Sequence, residues 1–98
     1  VTSSEIPEGF SLVRRIGPFD AASLPAGLLS SHSLKAGRWG WVQITEGAVR
    51  MVWEDEPLRS EELVAPTSVL IPPETVHHLE VAGPFKLQIA FLERESAD

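Results

Sequence analysis

Prolines and glycines interrupt this 98-residue chain about every ten residues, with 8 of the first and 7 of the second. A proline removes a backbone donor and fixes φ, while a glycine marks a place where the backbone needs unusual freedom. Segments this short leave little room for helices and suit strands joined by turns. The side-chain pattern agrees. Phe85, Leu87, Ile89 and Phe91 alternate with Lys86, Gln88, Ala90 and Leu92, the period of a strand with one wholly apolar face. Val49, Met51 and Trp53 alternate in the same way with Arg50, Val52 and Glu54. With Trp39 to Thr45 ahead of them, they predict a hairpin whose turn is Glu46-Gly47, the glycine supplying a positive φ. Further strands are expected over Phe10 to Ile16, Gly27 to His32, Glu62 to Val64, Ser68 to Ile71 and His77 to Val81. A single helical turn capped by Asp20 is expected near Asp20 to Leu24, and an acidic loop from Glu54 to Glu62.

Roughly seven or eight short strands with almost no helix predict an all-β fold, either an antiparallel barrel or a two-sheet jelly roll. An immunoglobulin-like sandwich competes, but the Cys…Trp…Cys signature is missing and there is no tyrosine. The length is that of one domain over residues 1–98, with 1–8 and 94–98 expected as loose termini.

Charge and composition exclude several classes of function. With 14 acidic against 8 basic residues the net charge is −6, and no basic cluster exceeds Arg14-Arg15. Binding to nucleic-acid phosphates or to an anionic membrane is therefore not expected. Without cysteine there is no disulfide framework, thiolate site or cysteine nucleophile, which suits the reducing cytoplasm expected as its location. No apolar run approaches the ~20 residues of a membrane helix. Val1-Thr2-Ser3-Ser4-Glu5 has neither the basic nor the apolar region of a signal peptide, and its first residue reads as a chain trimmed of its initiator. Neither a Gly-x-Ser-x-Gly elbow nor a glycine-rich phosphate loop occurs.

What remains is imidazole and carboxylate chemistry. After Pro72-Pro73 come His77, His78 and Glu80, and the third histidine, His32, lies far upstream. These are donors that zinc, iron, manganese or nickel accept. In a regular strand His77 shares a face with Leu79 and Val81, and His78 with Glu80, so His77 is expected to point inward. A bulge would instead let His77 and Glu80 converge. The candidate site is thus one divalent metal held by His32 and His77, joined by Glu80 or His78, with water in any open position. Lys35 and Arg38 are candidates for attracting a small anionic molecule. Trp39 is a candidate ligand wall, set against the commoner role of tryptophan as core.

The ordered series Leu24-Pro25-Ala26-Gly27-Leu28, His32-Ser33-Leu34-Lys35-Ala36-Gly37-Arg38-Trp39-Gly40, Glu46-Gly47, Pro72-Pro73-Glu74 and His77-His78-Leu79-Glu80 resembles a small cupin-like domain. That domain stands at the N-terminus of some TehB tellurite-resistance methyltransferases and alone in YeaR-like proteins. The resemblance implies a cupin-like double-stranded β-helix. It also implies a part in tellurite or related oxidative and nitrosative stress responses. The second cupin motif, Pro-x-Gly-x-x-His, appears as Pro72 to His77 with Glu74 in the glycine position, and the His-x-His of the first motif is absent. No methyltransferase portion is present, so the isolated barrel is expected. Were it an enzyme, it would use Lewis-acid or redox chemistry at the metal. The alternatives are a metal-free ligand-binding or sensing barrel and a barrel that forms homodimers through its edge strands.

Overall fold

The computed structural model of the protein describes residues 6–55 and 57–95. They form six strands, β1 (Phe10–Asp20), β2 (Trp39–Trp53), β3 (Arg59–Val64), β4 (Thr67–Ile71), β5 (His77–Glu80) and β6 (Phe85–Arg94), with one 3-10 turn at Ala26–Leu29. Every strand pairing is antiparallel. The first half of β2 lies between β6 and β4, and β1 adds to the far side of β6. The second half lies between β3 and β5. The two sheets therefore share β2, which passes from one to the other.

That path corrects the expected hairpin. Trp39 to Trp53 is one bent strand, and Glu46 and Gly47 continue its ladder by pairing with Lys86 and Phe85. The register shifts between Ile44 and Glu46, so Thr45 is an extra residue. One extra residue inverts the alternation of faces. Inward positions accordingly change from Val42 and Ile44 to Val49, Met51 and Trp53, all of them buried. A glycine with positive φ serves a hairpin turn and a bulged strand equally well, and local sequence does not separate the two.

Three smaller expectations also change. Gly27 to His32 is no strand: Leu28 donates to the Pro25 carbonyl at 3.1 Å in the 3-10 turn, and only His32 makes a bridge. Asp20 does organise a turn, accepting from Ala22 N, Ser23 N and Ser23 Oγ at 3.0 Å each. Leu24 N donates to the Asp20 carbonyl at 3.0 Å, which closes the single turn expected there, and Pro25 has no donor to extend it. The acidic loop is shorter than expected, because β3 already begins at Arg59. Its Glu56 lies outside the described residues, as do the terminal stretches 1–5 and 96–98. Arg94, placed in a loose terminus by sequence, still pairs with Phe10.

The two sheets close on Val42, Ile44, Val49, Met51, Trp53, Leu79, Leu87 and Ile89. Burial of each large apolar side chain contributes about 1.5–3 kcal/mol. A smaller cluster of Trp41, Ala90 and Leu92, with Phe10 and Trp39 against it, lies apart from that core. Among the described residues no helix is long and apolar enough to cross a membrane.

Candidate functional site

Pro72-Pro73 ends β4, and the chain re-enters the second sheet at β5 through Glu74. The Glu74 amide donates to the Leu34 carbonyl at 2.8 Å, and its φ is +60°. That is the left-handed conformation, unfavourable for a side chain with Cβ by about 1–2 kcal/mol, and it gives a physical reason for glycine at this position of the cupin motif. Glu74→Gly relieves this strain but adds freedom to the unfolded chain. It is expected to raise stability by up to about 1 kcal/mol. A thermal melt checks this, and an unchanged or lowered midpoint would show that the strain relieved is no larger than the freedom gained by the unfolded chain.

Past Thr75 and Val76, strand parity turns His77 inward beside Leu79 and leaves His78 and Glu80 on the other face, as their alternation predicts. His32 is brought to His77 by two reciprocal backbone bonds, His32 N to His77 O at 3.0 Å and His77 N to His32 O at 2.9 Å. Residues opposed in this way present their side chains to the same face. The ring centroids are 4.2 Å apart, tilted by 59°, with the Trp53 ring 5.9 Å from that of His77.

The protonation of both rings follows from their partners. His32 Nδ1 lies 2.8 Å from the Ser30 carbonyl, and His77 Nδ1 lies 2.7 Å from the Thr75 carbonyl. A carbonyl only accepts, so in each bond Nδ1 carries the proton. In the neutral tautomer this leaves the lone pair of each ring on Nε2. Burial holds His77 below the ordinary imidazole value of 6.5, so it stays neutral at pH 7.

Both histidines line a cavity of about 160 Å³ whose other walls are Leu28, Leu34, Val42, Met51, Ile71, Leu79, Ile89 and Phe91. A larger groove of about 650 Å³, flanked by Val64 and Val81, opens to solvent and contains neither histidine. Chemistry rather than size therefore selects the smaller cavity.

The remaining candidates occupy two other places. His78 Nδ1 is bonded to the Glu54 carboxylate, and its Nε2 lies 3.3 Å from Glu80 Oε2. Glu54 also accepts from Ser31 Oγ at 2.7 Å. It thereby ties the residue before His32 to the residue after His77. The serine and histidine bonds hold the Glu54 carboxyl below the usual carboxylate range, and the Glu54 bond raises His78. Arg38 lies 3.6 Å from Glu93, in a turn where its amide bonds the Lys35 carbonyl at 3.1 Å. Trp39 meets Phe10 edge-on at 5.1 Å, beneath the Arg94 guanidinium. None of Lys35, Arg38 and Trp39 lines the histidine cavity. Before the bulge the odd positions of β2 face away from the main core, which carries Trp39 off the site.

Sequence reasoning did not single out Leu28, Leu34, Ser31 or Glu54. Leu28 and Leu34 flank His32 in a segment without period, and nothing local joins Ser31 to Glu54. Ile89 and Phe91 were already legible as the apolar face of β6.

Among the described residues no group of three or more histidine, aspartate or glutamate side chains is placed to hold a metal. The two imidazoles do form a nitrogen donor pair. Each has its second nitrogen committed to a carbonyl, which is the outer-shell arrangement that orients histidine toward an ion. The pair supplies two nitrogen donors, short of the three or four protein ligands of familiar zinc sites.

Two antiparallel sheets sharing a long bent strand around a histidine-lined interior define a cupin-like double-stranded β-helix. Within that class the chain belongs to the TehB-like domain family, whose model matches residues 14–89. It is similar in structure to TehB from Haemophilus influenzae, with a TM-score of 0.79 and 14% identity over 89% of this chain. That match covers 32% of TehB, so the chain corresponds to about a third of it. A protein from Escherichia coli K12 is similar over almost its whole length, with a TM-score of 0.79, 21% identity, and 94% of this chain and 98% of that one covered. A cupin-2 domain protein from Shewanella frigidimarina is more distant, with a TM-score of 0.54 and 16% identity over 93% of this chain and 76% of its own. No curated protein sequence matches the chain significantly.

Proposed function

We propose that this protein binds one divalent transition-metal ion between Nε2 of His32 and Nε2 of His77, leaving coordination positions open to water and to a small molecule in the cavity. The observation that carries this reading is the pair of rings 4.2 Å apart, each with Nδ1 bonded to a backbone carbonyl. An all-imidazole donor set favours zinc, nickel or iron over manganese, which prefers oxygen ligands. Two protein ligands imply weaker binding than a closed site gives. The bound ion would supply Lewis-acid polarisation of whatever coordinates beside it. The link to tellurite and to oxidative or nitrosative stress belongs to the same proposal and is supported by family membership.

Cobalt(II), added to chelator-treated protein and followed by its visible absorption, tests the reading. A stoichiometric spectrum is expected for the wild type, and its loss in both His32→Ala and His77→Ala. His78→Ala, on the opposite face, is expected to leave binding within a few-fold. A wild type that binds no cobalt, zinc or nickel would end the metal reading. A spectrum lost only in His78→Ala would move the site to the Glu54–His78–Glu80 cluster.

A further inference from the structure

The cavity beside the two histidines has a chemistry that narrows its ligand. Eight of its ten lining side chains are apolar, and the two polar ones are the imidazoles. Their Nδ1–H donors are already spent on the carbonyls of Ser30 and Thr75. The lone pair that each neutral ring retains is therefore the one on Nε2. No lysine or arginine lines it, so in the metal-free protein an anion would be stripped of water with neither a counter-charge nor a donor to receive it. The volume of about 160 Å³ is close to that of the ~150 Å³ apolar cavity known to accommodate benzene.

We propose that this cavity takes a small, neutral, largely apolar molecule with a single hydrogen-bond donor, in the size range of phenol, whose O–H donates to Nε2 of His32 or His77. It concerns the metal-free cavity, whereas the anionic molecule expected from sequence stands beside a bound metal. It rests on the same imidazole pair as the metal reading, but not on the metal. The body of the ligand replaces empty space among Leu28, Met51, Leu79 and Phe91, and its hydroxyl satisfies an acceptor that an apolar molecule leaves bare. A hydroxyl lost from such a ligand should weaken binding about five- to tenfold, the worth of one neutral hydrogen bond.

The experiment is a titration of chelator-treated protein with phenol, toluene and benzoate, followed by amide shifts in two-dimensional NMR. Phenol is expected to shift residues around the cavity and to bind five- to tenfold more tightly than toluene, with benzoate weaker than both. His32→Leu, at a partly exposed position, is expected to narrow the preference of phenol over toluene. His77→Leu tests the buried ring if it folds, and the His32 variant decides if it does not. Benzoate binding as tightly as phenol would overturn the proposal, as would toluene matching phenol or an absence of phenol binding. The two readings fail separately. Phenol binding without cobalt binding removes only the metal, and cobalt binding without phenol binding removes only this ligand class.

Discussion

Gly47→Ala is expected to lower stability by about 3 kcal/mol or more, a large share of the ~5–15 kcal/mol typical of a folded domain. Two costs combine. Gly47 has φ +72°, in the left-handed region where a Cβ costs about 1–2 kcal/mol. A Cβ there would also lie 2.1 Å from the Pro84 carbonyl oxygen and 2.9 Å from Phe85 Cα. Those atoms are backbone, held by the pairing of Gly47 with Phe85, so no side chain can rotate away to make room. Overpacking of this kind adds about 1–3 kcal/mol. Because the strand changes sheets here, any displacement would also move Val49 and Met51 relative to Val42 and Ile44. Urea unfolding of the two proteins measures the difference. A loss below about 1 kcal/mol would mean that the crossing yields easily, and that Gly47 does not hold it in place.

Gly47 also shows how far the sequence could be read. Period two identifies which side chains share a face, and it correctly described β6 and the second half of β2. It says nothing about which strand lies alongside, and a glycine at a change of parity looks the same in a turn as in a bulge. The apolar neighbours Leu79 and Val81 suggest the inward direction of His77, but sequence leaves open a bulge that would change it. The pairing of His32 with His77 did not follow from any local pattern, since two backbone bonds between segments distant in sequence create it. Its only trace was the ordered resemblance to a known domain. By sequence Lys35 and Arg38 stand as cations for the mouth of the barrel and Trp39 as a ligand wall. The turn at Lys35–Arg38 and the parity of β2 take them to another surface. Glu54 stands in the loop after β2, as the sequence predicts, and its carboxylate joins the two segments that carry the site.

Glu54→Ala is therefore expected to weaken metal binding about tenfold while the protein stays folded, the worth of one hydrogen bond that holds the His32 segment in place. Glu54 touches neither ring of the pair. It receives Ser31 Oγ and His78 Nδ1, and its amide bonds the Val76 carbonyl at 2.9 Å. Removal of the carboxylate leaves the His32 segment attached to β5 mainly by the two backbone bonds of the bridge. Stability against pH gives a second readout. The folded-state value of His78 is raised, so its contribution is complete below the ordinary 6.5 and is lost as pH rises through the folded value. The folded-state value of Glu54 is lowered, so its contribution is complete above 4.5 and is lost as pH falls through the folded value. Their bond is thus fully ionic from about pH 4.5 to 6.5. The folded-state value of His77 is lowered, so its contribution is complete above 6.5 and declines as pH falls below that point. In Glu54→Ala the alkaline-side decline should flatten, while the loss below pH 6.5 caused by His77 persists. Cobalt titration and urea unfolding between pH 5 and 9 measure both effects. Unchanged cobalt affinity together with an unchanged alkaline limb would show that the carboxylate neither holds the His32 segment nor raises His78.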